Sequence, residues 1–183
     1  YIVSGSGDSL DGDVIGNHGL SDYWIVKISS TGLLEWQKSL GGSKYDICYS
    51  IQQTNDGGYI VAGDSASING DVTGNNGNND YWIVKLTSTG SIAWQKSLGG
   101  SSYDLGRSIK QTTDGGYIVA GYSYSNDGDV TGNHGLIDYW IVKLNKAGIK
   151  VWDKTIAGNA ADDLKSVSEA ADGGYILGGS SES

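Results

Sequence analysis

The chain has no proline, no methionine and no phenylalanine, one cysteine, two histidines and only three glutamates among its 183 residues. The single thiol, Cys48, excludes an internal disulfide and identifies no redox compartment. It aligns with Gly106 and Leu164 one and two periods on, so a small buried filler is expected there. No stretch approaches the roughly 20 consecutive apolar residues of a membrane-crossing helix, and no signal peptide is visible, so membrane insertion is not expected. Basic residues are scarce. The net charge is -9, with 18 aspartates spread along the chain, which leaves no electrostatic footprint for nucleic acid or an anionic membrane. Without phenylalanine or methionine, bulky apolar surface falls to 6 Trp and 12 Tyr, and without proline the turns fall to 30 Gly. That composition suits short strands joined by glycine-rich turns. No initiator methionine is present and Tyr1 enters in the middle of a repeat, so the chain is expected to be a segment of something longer.

The repeat is the dominant feature. A Tyr-Ile-Val or Tyr-Ile-Leu string begins at Tyr1, Tyr59, Tyr117 and Tyr175, a spacing of 58 each time. Asp22-Tyr-Trp-Ile-Val-Lys returns at Asp80 and Asp138, and Asp-Gly-Gly closes each unit at Asp56, Asp114 and Asp172. The chain divides into repeats 1–58, 59–116 and 117–174, with a partial fourth at 175–183 forming one array.

Within a unit, 108–112 runs through Thr113-Asp114-Gly115-Gly116 into 117–121, and Asp-Gly between two β-rich runs predicts a hairpin. A second hairpin spans 80–98 around Thr87-Ser88-Thr89-Gly90. Tyr81 and Ile83 point one way from its first strand and Trp82 and Val84 the other, so that strand needs cover on both faces. A four-stranded sheet held between two like sheets provides it. The expected fold is therefore all-β, with four-stranded antiparallel β-propeller blades and about three blades in the chain. Closure of such a ring calls for self-association or for further blades of a longer parent chain. The third unit departs from the others at Lys146-Ala147, Lys150, Asp153 and Ala157, consistent with either a polar cap or neutral drift.

The string over 114–135, followed by Asp-Tyr-Trp-Ile-Val-Lys-Leu at 138–144, resembles the tandem propeller repeats of secreted bacterial surface proteins, which often carry a C-terminal sorting domain. The resemblance covers the whole chain. It implies blades similar to those of NHL and related propellers, with innermost strands near 50–54, 108–112 and 166–169 and outermost strands near Trp36, Trp94 and Trp152. The chain would then start and end at the second strand of a blade.

His18 and His134 occupy one repeat position where the middle unit has Asn76, which makes them solvated loop residues rather than general bases. Glu35 and Arg107 read as isolated differences between units. No catalytic constellation is expected, and the chain reads as a non-enzyme. The long loop after each Tyr-Ile-Val strand repeats its oxygen donors: Asp11, Asp13, Asn17 and Asp22; Asn69, Asp71, Asn75 and Asp80; Asp127, Asp129, Asn133 and Asp138. Such donors suit Ca²⁺, although the EF-hand glycine and terminal glutamate are missing; the alternative is side-chain turns to the local backbone. The tryptophans recur in strands and belong to the core. Tyr122 and Tyr124 align with Asp64 and Ala66 and are candidates for an exposed ligand surface. The expected function is a structural or adhesive, recognition-type propeller segment of a secreted or cell-surface protein, with a glycan or protein as partner. The rivals are a Ca²⁺-dependent carbohydrate-binding module and part of an enzyme acting on extracellular polysaccharide.

Overall fold

The computed structural model describes residues 1–182, which are all-β, with thirteen strands and no helix among them. The first sheet holds β1 (Ile2–Gly7), β2 (Asp22–Ile28) and β3 (Leu34–Leu40); the second holds β4 (Asp46–Gln53), β5 (Tyr59–Ser65), β6 (Asp80–Leu86) and β7 (Ile92–Leu98). The third holds β8 (Asp104–Gln111), β9 (Tyr117–Ser123), β10 (Asp138–Leu144) and β11 (Lys150–Ile156), and the fourth holds β12 (Asp162–Glu169) and β13 (Tyr175–Ser181). Every pairing between these strands is antiparallel, and strands follow one another across each sheet in chain order.

Each Asp-Gly-Gly segment makes the expected tight hairpin. Gly57, Gly115 and Gly173 take φ of 80°, 79° and 84°, a left-handed conformation that side chains resist. The aspartate before each of them accepts the N–H of the second glycine, as Asp56 does from Gly58 at 3.0 Å. The first strands begin four residues earlier than the resemblance implies, at Asp46, Asp104 and Asp162 rather than at 50, 108 and 166. A bulge in each, between Cys48 and Ser50, Gly106 and Ser108, and Leu164 and Ser166, breaks the two-residue alternation and hides the strand's beginning.

The sheets stack in chain order. Trp82 and Val84 join Tyr23, Ile25 and Tyr59 in the core between the first and second sheets, while Tyr81 and Ile83 join Trp140 and Val142 in the core between the second and third. The strand expected to need cover on both faces is thus covered by two different sheets, and all seven residues of β6 are buried. A hydroxyl stitches each junction: Tyr23 donates to the Trp82 carbonyl and Tyr81 to the Trp140 carbonyl, both at 2.8 Å.

Neighbouring sheets meet chiefly through the first strand of the later one, β4 against β1, β8 against β5 and β4, and β12 against β9 and β8, while β7 and β11 make their substantial strand contacts only within their own sheets. The gap therefore widens toward the fourth strand, where the largest side chain fills it. Trp36 reaches Tyr59, Trp94 reaches Tyr117 and Trp152 reaches Tyr175, with ring centroids 5.7, 5.7 and 5.8 Å apart.

Two of the departures in the third unit, Lys150 and Asp153, form a linked pair. Trp24 and Trp82 donate to Gln37 and Gln95, whereas Trp140 donates to Asp153 at 3.2 Å. The charge this introduces is met by Lys150, which stands where the second unit has Ile92 and lies 3.3 Å from Asp153 and 3.4 Å from Asp129. A double-mutant cycle of Lys150→Ile and Asp153→Gln should therefore show coupling of about 0.5–1 kcal/mol, with the double variant more stable than the sum of the singles. Strict additivity in chemical denaturation would instead mark the two changes as independent drift.

Candidate functional site

The three first-strand bulges put one residue of each unit outside the pairing ladder: Tyr49, Arg107 and Lys165. A bulge re-aims the residue it frees. Here two of the freed residues, Tyr49 and Arg107 of adjacent sheets, meet. The Arg107 guanidinium lies 4.0 Å from the Tyr49 ring centroid and 5.2 Å from that of Tyr122, and its Nη2 donates to the Tyr122 hydroxyl at 2.8 Å. Arg107 is the only arginine of the chain, and its Nε is buried without a partner among the described residues. Sequence reading took Arg107 as an isolated difference between units because positions 58 residues apart touch only once the sheets stack.

Beside them, Tyr122 stands opposite Leu105 in the β8–β9 register, and the Tyr124 N–H bonds the Tyr103 carbonyl at 2.9 Å. The rings of Tyr103 and Tyr124 are 6.1 Å apart and those of Tyr122 and Tyr124 are 6.2 Å apart, both edge-to-face. Tyr103, Leu105, Tyr122 and Tyr124 line an open cleft of about 320 Å³. Asp64 lies beside Tyr49, with Oδ2 accepting from Asn79 at 2.6 Å. Burial pushes its pKa up to about 6, against the hydrogen bond from Asn79. A larger cleft of about 550 Å³ over Trp94 and Tyr117 is the inter-sheet gap beside the Asp56–Lys85 pair; Asp56, Lys85, Trp94 and Tyr117 recur one unit on, while Asn55, Ala93 and Gln111 do not. The smaller cleft carries Tyr122 and Tyr124, which are matched by no tyrosine in the other units, and it adjoins Arg107.

The repeated acidic loops have a different geometry. Gly41, Gly42, Ser43 and Lys44 form the turn between β3 and β4, and their four successive N–H groups are taken by Asp71, Asp46, Asn69 and Ser67. Three of those acceptors come from the long loop of the next sheet. Gly100, Ser101 and Ser102 are held in the same way by Asp104, Asp127 and Ser125. Asn75 and Asn133 brace the loops by donating to the carbonyls of 65 and 67 and of 123 and 125, while Asn17 accepts the Gly19 N–H. Asp11 accepts from Ser9, and Asp129 bonds Gly99 through its own N–H. Asp13 enters no such bond here. Among the described residues, no three Asp, Glu, His or Cys side chains gather as a metal-sized group.

Asp22, Asp80 and Asp138 are fully buried, and each accepts the N–H of the residue four before it, His18, Asn76 or His134. That main-chain bond explains why histidine and asparagine interchange there; the His18 Nδ1 also lies 2.8 Å from Asp22. The other oxygen of each carboxylate has no partner among the described residues. On Gly99, a side chain would come within 2.5 Å of that oxygen on Asp80 and 2.6 Å of Asp104 Oδ2, so only glycine lets the two buried carboxyls face each other. Burial first, then the charges of Asp104 and Asp129, push Asp80 up to about 7. Cys48 is buried, and desolvation pushes its thiol up to about 12, so it is an inert filler at neutral pH.

No protein-family model matches the chain, and no curated protein matches it. Among solved structures, a protein of unknown function from Bacteroides caccae is similar, with a TM-score of 0.53 and 13% identity over 95% of this chain and 50% of that one. The chain spans about half the length of that protein, and at this identity the likeness concerns the fold alone.

Proposed function

We propose that the chain is a β-propeller segment serving as a non-catalytic interaction module of a secreted or cell-surface protein. The blade reading is supported by sheets that pack through β4, β8 and β12 onto the first two strands of the preceding sheet and splay toward β7 and β11. Such a ring is completed by further blades of a longer chain or by a second copy. The observation that carries the interaction reading is where the units differ. Tyr49, Arg107 and Lys165; Asp64, Tyr122 and Ser180; and Ala66, Tyr124 and Glu182 are equivalent positions, and they lie together around the freed bulge residues. A repeat scaffold repeats what holds it together and varies the surface that meets a partner. Secretion rests on the sequence resemblance, and function on the site rather than on the fold.

The test is a screen of the purified chain against arrayed glycans and displayed peptides, repeated with Arg107→Ala. At least one ligand, of either class, should be lost with the arginine. A screen in which every bound ligand is retained by the variant overturns the assignment of this surface.

A further inference from the structure

We infer that the cleft over Tyr103, Tyr122 and Tyr124 is a subsite for one pyranose unit of a neutral glycan, stacked on tyrosine and held at its hydroxyls by Arg107 and Asp163. This rests on the interaction reading above and names the ligand class.

Shape comes first. The cleft is open and shallow, and about 320 Å³ is at the small end of ligand sites, near the size of a single ring and its substituents. Tyr103 and Tyr124 stay 47% and 43% exposed, so their faces are available, and their edge-to-face contacts hold them in place. Rigid aromatic faces bind at low entropic cost.

Charge comes second. The surface gathers two cations, Arg107 and Lys165, and two carboxylates, Asp64 and Asp163, with Lys165 paired to Asp163. It is balanced, and the chain as a whole is acidic, so neither an anionic nor a strongly cationic ligand gains from it.

Unused hydrogen-bonding capacity comes third. Arg107 Nε is an unpartnered donor and Asp163 Oδ1 an unpartnered acceptor among the described residues. Both atoms are buried, so each carries a desolvation cost that a small shift of its side chain toward a ligand relieves. A ligand meeting donors and acceptors beside aromatic faces must itself donate and accept along one ring edge while offering an apolar face. A sugar ring does both. A peptide anchor would need a deeper apolar pocket than these four residues form.

The test is calorimetry of the chain with unbranched tetra- to hexasaccharides of glucose, mannose, xylose and N-acetylglucosamine, alongside tyrosine-rich and acidic control peptides. At least one oligosaccharide should bind with a Kd near or below about 1 mM, the affinity of a shallow single-ring site. Tyr124→Ala and Arg107→Ala should each weaken it about tenfold or more, Tyr124→Phe should retain it, and Tyr45→Ala, at the equivalent of Tyr103 in the second unit, should leave it unchanged. Unaltered circular dichroism and melting temperature confirm that these variants fold. Absence of oligosaccharide binding, or binding insensitive to Tyr124→Ala and Arg107→Ala, overturns the inference. Peptide binding lost in the same variants also overturns it, while leaving the interaction reading standing.

Discussion

Gly121→Ala is expected to destabilise the protein by several kcal/mol, or to prevent folding, while Gly5→Ala is tolerated within about 1 kcal/mol. The two glycines occupy the same repeat position. A methyl on Gly121 would be driven into the Leu105 carbonyl oxygen of the neighbouring first strand and would lie 2.8 Å from the Tyr81 hydroxyl that stitches two sheets. Neither obstacle is the end of a flexible side chain, so backbone must move. Gly63 is placed in the same way against Ile47 and Tyr23. At Gly5 no atom lies within 4 Å, because among the described residues β1 has no first strand beside it. Denaturant midpoints of the three alanine variants decide. Equal losses at all three positions would point to a backbone preference for glycine rather than to a clash.

The second large effect is on pH. The protein should be more stable at pH 5 than at pH 8, by on the order of 2–4 kcal/mol, and Asp80→Asn should remove much of the difference. A carboxyl that the fold holds protonated adds stability below the ordinary aspartate value near 4, and that stability is lost as pH rises through the folded value. That value is about 7 for Asp80 and about 6 for Asp64. Asp46 and Asp104 are raised too, each chiefly by burial. At Asp80, asparagine keeps the oxygen that accepts the Asn76 N–H and puts a donor beside Asp104, so it should raise the melting temperature at pH 8 by several degrees and change it little at pH 5. Asp56 and Asp114 work oppositely. Hydrogen bonds from Thr54 and Thr112, then from Lys85 and Lys143, lower each to about 2, so their contribution holds above pH 4 and disappears as pH falls toward 2. Both are largely exposed, which keeps that term small. A melting temperature that is flat or rising from pH 5 to 8 would falsify the buried-acid account.

Much of the architecture is written in local pattern. The 58-residue period, the Asp-Gly-Gly hairpins and the two-faced Tyr-Trp-Ile-Val strand each require only neighbours in the chain to be recognised, and each appears in the structure where expected. The starts of the first strands escaped because a bulge disrupts the alternation on which strand reading depends. The oxygens of the acidic loops carry the same composition whether they face a cation or a backbone. Only stacking shows that Asn69 and Asp71 bond a turn some 30 residues earlier, in another sheet. The candidate site was half visible: Tyr122 and Tyr124 stood out by differing from their counterparts, whereas Arg107 and Tyr49 meet across a junction that no single strand reveals.

Successive junctions are so alike that they are nearly interchangeable as a chain collapses. Tyr23 finds a tryptophan carbonyl 59 residues on, and Tyr81 does the same. The surface that receives the second sheet could equally receive the third. Skipping one unit doubles the intervening loop, and doubling a loop costs only about 0.6 kcal/mol, too little to keep the order of assembly by chain connectivity alone. Misordered docking and exchange of units between molecules are the characteristic failures of such arrays. The side chains that differ between units then act as registration marks: Arg107, bonded to Tyr122 of its own sheet and lying over Tyr49 of the preceding one, completes only one junction. Making the units identical would remove those marks and leave several misfolded orders close in energy to the native one.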